Sequence, residues 1–128
     1  MDKYLQVAND EARQAQEAGN YPYGSVLVRG DKIIGIGRNH MNTSNDPTSH
    51  AEIEAIRAAG LQESYADTVM YASAFPCIMC AGAIVMLGIQ ELIVGATWEG
   101  CESSRALMES NGVKIKVLEL EECKELLR

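Results

Sequence analysis

The sequence predicts an α/β protein, a three-layer α/β/α sandwich on a mixed five-stranded sheet. Two observations carry this expectation. A pair of β-rich runs flanking a tight turn signal lies near the start, and beyond it short apolar strands alternate with helical segments in the order αββαβαβαβα. A hairpin followed by alternation gives both antiparallel and parallel neighbours, with helices covering both faces of the sheet.

Asp2 to Ala18 combines good helix formers with Leu5, Ala8, Ala12 and Ala15 at helical spacing, and Gly19 follows as a stop. Gly24–Arg29 and Lys32–Arg38 are the hairpin strands around Gly30-Asp31. Asn39 to Ser49 (NHMNTSNDPTS) is dense in turn residues and reads as a loop longer than most connections, which points to function. His50 to Ala59 is helical in composition and ends at Gly60, and Thr68–Ser73 is a short strand. Cys77 to Leu87 (CIMCAGAIVML) is apolar on nearly every face, so a core or a partner subunit must cover it. Glu91–Gly95 is the fourth strand, Ser103–Asn111 a surface helix, Val113–Leu118 the fifth strand and Glu121–Leu127 a last helix. Without repeats, low-complexity tracts or linkers, residues 1–128 read as a single domain.

No apolar run approaches the ~18 residues of a membrane span, and the opening MDKYLQVANDEARQ lacks the features of a signal peptide. A cytoplasmic protein with no membrane partner is expected. The net charge of −7, without any Lys/Arg cluster, is a poor start for neutralising phosphates and weighs against nucleic acid. A small-molecule substrate fits this balance better.

The stretch FPCIMC sets Cys77 and Cys80 one helical turn apart behind Pro76. Three readings are open: a redox pair, two metal ligands, or two buried small hydrophobes. A redox pair suits a strand followed by Cys-x-x-Cys at a helix start. A helix N-terminus stabilises a thiolate at Cys77, which argues against inert packing. As metal ligands, two sulfurs favour zinc, which takes four ligands, and His40, His50, Cys101 and Cys123 are the remaining donors. Neither Cys101 nor Cys123 has the paired spacing of a structural four-cysteine site.

His50-Ala-Glu52 followed by Pro76-Cys77-Ile-Met-Cys80 is the signature of zinc deaminases acting on cytosine or adenine. On these motifs the chain resembles the cytidine/deoxycytidylate deaminase superfamily, and within it the free-base and nucleoside branch typified by fungal cytosine deaminase and guanine deaminase. Pro22-Tyr23-Gly24, Gly37-Arg38-Asn39, Val94-Gly95 and the Asn111-Gly112 to Glu122-Cys123-Lys124 segment extend the likeness over almost the whole chain. The resemblance implies a cytidine deaminase-like fold with zinc on His50, Cys77 and Cys80, leaving the fourth position open. It implies that Glu52 takes a proton from water and returns protons to the ring nitrogen and the departing ammonia. Helical spacing alone does not select Glu52, because residues two apart point to opposite sides, whereas Glu54 shares the His50 face and can pair with Arg57.

The resemblance further implies that the base is contacted by the Asn39 side chain, the Ala51 amide and the Phe75 carbonyl, with Trp98 as an aromatic wall. Fungal cytosine deaminases continue into a tail that closes the pocket. Here the 97–102 segment or a neighbouring subunit is expected to cover the substrate; Glu99 and Glu102 are read first as exposed surface carboxylates and second as partners for an amino or amidine group. The expected activity is zinc-dependent hydrolytic deamination of a small free base or cyclic amidine, cytosine first. Guanine, then creatinine-type amidines or tRNA adenosine, follow, and a zinc-stabilised binding scaffold is the non-enzymatic alternative. A homodimer is expected.

Overall fold

A computed structural model describes residues 2–128. Helix α1 (Lys3–Glu17) precedes the hairpin β1 (Gly24–Arg29) and β2 (Lys32–Arg38). Then come α2 (Ala51–Ala59), β3 (Thr68–Ala72), α3 (Ile78–Leu87), β4 (Glu91–Val94), α4 (Glu102–Ser110), β5 (Lys114–Val117) and α5 (Glu121–Leu126). Every expected element is present, with ends moved by no more than a residue. Several of those shifts have one cause, since Asp2, His50 and Cys77 cap their helices from outside.

The strand order is β2-β1-β3-β4-β5. β1 runs antiparallel to both neighbours, and β3, β4 and β5 are mutually parallel. Side-chain alternation divides the sheet between two cores. Leu27, Met70, Ala72, Leu92 and Val94 face a cluster that includes Ala81 and Ile84 of α3 and Met108 of α4. Val26, Val28 and Tyr71 face Leu5 and Ala8 of α1, with Ile93 packed beside them. α5 joins the α1 layer, where the buried Asn9 amide donates to the Glu122 carbonyl at 3.3 Å.

Glycines let the helices lie directly on strand backbone. A Cβ on Gly24 would stand 1.9 Å from the Ala8 carbonyl oxygen of α1. On Gly35 and Gly37 it would stand 2.2 Å from the Ala55 and Ala51 carbonyl oxygens of α2. The height of α2, including its first turn, is therefore set by bare backbone on β2.

The 39–49 segment is an ordered loop. Asn20 is buried beside it, and its Oδ1 accepts from the Asn42 and Thr43 amides at 3.0 and 3.1 Å. The His40 amide donates to the Ser49 carbonyl at 3.0 Å, which closes the loop on itself just before α2. α3 buries Cys80, Ala81 and Ile84 and leaves Ile78, Met79 and Met86 exposed, so the core covers only one side of this apolar helix. No helix among the described residues is long and apolar enough to cross a membrane.

Gly37→Ala is expected to lower the urea midpoint by an amount equivalent to about 1–3 kcal/mol, the usual cost of forcing an atom into close-packed backbone. An unchanged midpoint would show that α2 does not rest on this strand.

Candidate metal centre

The site forms where two helix N-termini meet at one end of the sheet. His50 is the N-cap of α2, with φ −78° and ψ 155°, and its carbonyl accepts from the Glu54 amide at 2.9 Å. Cys77 is the N-cap of α3, with φ −73° and ψ 176°, behind the buried Pro76. Proline suits this place because a helix start has no hydrogen bond to lose. Cys80 follows in the first turn of α3 and is fully buried.

His50 Nδ1 lies 3.4 Å from Cys77 Sγ and 3.6 Å from Cys80 Sγ. The three donor atoms all lie within 4.8 Å of one another, and no other group of three or more such ligands forms among the described residues. His50 Nε2 sits 3.1 Å from the Pro47 carbonyl oxygen. A carbonyl only accepts, so Nε2 carries the proton and the Nδ1 lone pair faces the sulfurs. Zinc–nitrogen and zinc–sulfur bonds of about 2.1 and 2.3 Å make a tetrahedral N···S edge roughly 3.6 Å long. Donor set and spacing therefore fit zinc.

The sulfurs are also prepared electrically. Cys77 is lowered to about 5, first by the thiol of Cys80, with further help from the Cys80 and Met79 amides and from His50. The same pairing, then burial, holds the second proton on Cys80, opposed by the Ile53 amide of α2. Amides at the starts of both helices thus point at sulfur, where negative charge is favoured.

The other sequence candidates lie elsewhere. His40 borders a separate cavity with Glu54 and Arg57, and Cys101 is the N-cap of α4. Cys123 is packed against Gly95, where an added Cβ would lie 2.4 Å from its sulfur.

A cavity of about 260 Å³ adjoins the cluster, lined by Tyr23, His50, Glu52, Ala74, Phe75, Cys77 and Trp98. Glu52 is only 6% exposed, and burial, then the Cys77 charge, pushes its carboxyl up to about 7. His50 and Glu52 reach one cavity although two residues apart, because His50 precedes the helix in extended conformation and the helical face rule does not apply to it. Glu54 is turned away, paired with Arg57 and accepting from Ser49 Oγ at 3.2 Å.

The expected substrate contacts are placed unevenly. Phe75 and Trp98 are cavity walls joined to each other, the indole N–H donating to the Phe75 carbonyl at 2.6 Å. Asn39 is 1% exposed, and its Oδ1 accepts from the Met41 amide at 3.0 Å. Ala51 is buried. Glu99 and Glu102 are exposed and do not line the cavity. Tyr23 and Ala74 are the walls that sequence reasoning missed. The only signal for Tyr23 was a position between Pro22 and Gly24 at the start of β1, and pairing with β3 brings that start beside the segment that leads to Cys77.

Comparisons with known proteins agree with this geometry. The cytidine and deoxycytidylate deaminase zinc-binding region matches residues 1–96. A tRNA-specific adenosine deaminase of Buchnera aphidicola (subsp. Schizaphis graminum) is 38% identical over 122 residues, covering 88% of this chain and 81% of that protein. The cytosine deaminase of Candida albicans is 32% identical over 128 residues, covering 98% and 85%. A structure solved in work on A-to-I editing by tRNA:A34 deaminases superposes with a TM-score of 0.84 at 30% identity, covering 98% and 99%. The chain belongs to the cytidine and deoxycytidylate deaminase family, as a zinc-type hydrolytic deaminase.

Proposed function

We propose that the chain, as one domain, deaminates a small free base, cytosine first, with zinc held by His50, Cys77 and Cys80. The observation that carries this reading is the cavity. At about 260 Å³ it lies below the usual ~300–1,000 Å³ of small-molecule pockets. A cavity of this size, with the Trp98 indole on one wall, suits a single base.

When bound there, zinc supplies a Lewis acid that makes water a better nucleophile. The chain's own residues do the rest. Glu52, buried beside the cluster, accepts the proton of the attacking water and delivers protons to the ring nitrogen and to the amino group that leaves as ammonia. The Trp98 indole forms one wall for the ring, fixed by its bond to the Phe75 carbonyl. The Phe75 carbonyl keeps one lone pair for an amino hydrogen, because the indole occupies only one of two. The Ala51 amide and the Asn39 side chain are the proposed remaining contacts; both are buried behind the residues that line the cavity, Ala51 in the first turn of α2 and Asn39 after β2.

Surface charge supports a small substrate over a polynucleotide. Seven of the eleven Lys and Arg side chains are within 4.0 Å of a carboxylate: Arg13, Arg29, Arg38, Arg57, Arg105, Lys124 and Arg128. Of the others, Lys3, Lys32 and Lys114 begin α1, β2 and β5, at the sheet end away from the cavity, and Lys116 lies within β5. The second reading, adenosine in tRNA, is favoured by the relatives named for that activity. Guanine stands behind cytosine among free bases.

α3 exposes Ile78 and Met79 at its start and Met86 near its end, where Met86 lines a groove with Ile56, Leu61 and Leu87. We place a second copy of the chain on this apolar face as a homodimer, and four free thiols suit a cytoplasmic setting.

Three outcomes are expected. Glu52→Gln retains zinc but loses about 10²–10⁴-fold in kcat for ammonia release, the usual worth of a proton shuttle; a parent rate would refute the role. Stripping metal with a chelator should abolish activity and lower Tm by more than about 5 °C, because a ligand bound only by the folded state stabilises it. An unchanged Tm would mean that the cluster binds no metal. In a parallel ammonia-release screen of cytosine, guanine, adenine, nucleosides, creatinine and an adenosine-bearing anticodon hairpin, cytosine should turn over fastest. Turnover confined to the hairpin would establish the tRNA reading instead.

A further inference from the structure

The wall formed by Trp98 belongs to a strand-to-helix loop with few anchors. Its near end is fixed by backbone: the Gly95 carbonyl accepts from the Leu120 amide at 2.8 Å and the Ala96 carbonyl from the Phe75 amide at 2.9 Å. Its far end is fixed where Cys101 begins α4. Between these points only two hydrogen bonds tie the loop to other segments among the described residues. One is the Trp98 indole to the Phe75 carbonyl, and the other is Thr97 Oγ1 donating to Glu119 Oε1 at 2.8 Å.

Glu119 makes that second bond from an uncommon backbone conformation, held on either side by the Leu118 and Leu120 amides, which donate to the Val94 and Gly95 carbonyls at 2.9 and 2.8 Å. It follows β5 with φ 51°, one of two non-glycine residues with positive φ among those described. Its other oxygen, Oε2, lies 3.4 Å from Lys124 Nζ in α5. A glycine would adopt this φ freely, whereas a β-carbon makes it unfavourable. Such strain persists where surrounding contacts impose it and clusters where it serves function. Here the side chain so placed bonds Thr97, one residue before a cavity wall.

We propose that Glu119 is a positioning residue: through Thr97 it latches the 97–100 loop so that Trp98 stays closed against the substrate. The latch rests on the deaminase reading for its kinetic consequence but not for its effect on Trp98. Glu119 touches no reacting atom, so releasing it weakens substrate binding and leaves the proton chemistry of Glu52 in place. The glutamate is also locally unfavourable for the fold, so its replacement by glycine separates positioning from stability.

Trp98 is the chain's single tryptophan, and its fluorescence reports the loop directly. The zinc-loaded full chain is compared with Glu119→Gly, Thr97→Val and Glu119→Gln by acrylamide quenching of Trp98, Tm, and KM and kcat on the best free base. Glu119→Gly and Thr97→Val should each raise the quenching constant, and raise KM about 3- to 10-fold, the range for one lost hydrogen bond. Their kcat should change less than about twofold, as expected when ground-state and transition-state binding fall together. Tm of Glu119→Gly should hold or rise. Glu119→Gln keeps an acceptor oxygen for Thr97 and should match the parent in quenching and KM. Unchanged quenching in both loosening variants overturns the latch, even if no free base is turned over and the substrate reading has failed. Raised quenching with an unchanged KM overturns its role in binding, and a fall in Tm of Glu119→Gly that accounts for the whole effect reduces Glu119 to a structural residue.

Discussion

The site depends on two helix N-termini being brought to the same point at the end of the sheet. α2 is set by Gly35 and Gly37, whose missing side chains allow its backbone to rest on β2. α3 is set by the parallel β3–β4 connection, which returns the chain across the face and buries Ala81 and Ile84 against Leu92 and Val94. Neither helix supplies a metal cluster alone. His50 caps the first and Cys77 the second, so a shift of either helix by an ångström opens the 3.4 and 3.6 Å separations on which tetrahedral binding relies.

Charge at that meeting point is balanced for an ion. Burying two sulfurs and a carboxyl together is unfavourable, and the structure shows the result: Glu52 and Cys80 are both pushed toward their protonated forms. Helix amides and the oriented imidazole offset part of this, and a divalent cation removes the rest. Metal binding and local folding are therefore coupled. Glu52 is 6% exposed beside the cluster, in a cavity whose walls include Tyr23, Phe75 and Trp98.

Much of the fold was legible because its signals are local. The short apolar runs of β3 and β4, glycine after α1, α2 and α3, and the hairpin turn with Gly30 at φ 63° each specify an element from neighbouring residues. The grouping of His50, Cys77 and Cys80 was legible for a different reason: Cys-x-x-Cys at a helix start and His-x-Glu at another restrict the chemistry even when separated by 27 residues. What escaped reading depends on tertiary placement. Nothing near Tyr23 shows that β1 begins beside Cys77 and Cys80, and the spacing of His50 and Glu52 allows a shared cavity only if His50 stands at an irregular helix entry, which is where the structure puts it. The apolar composition of α3 left open how the core and a partner share it, and packing answers half of that by exposing Ile78, Met79 and Met86.

The most direct test of the central claim is zinc X-ray absorption on the purified, active protein. The account predicts one zinc per chain with two sulfurs, one imidazole nitrogen and one further light atom that exchanges with solvent. A shell of four sulfurs, which would recruit Cys101 or Cys123, or a protein that turns over without any zinc, would contradict it.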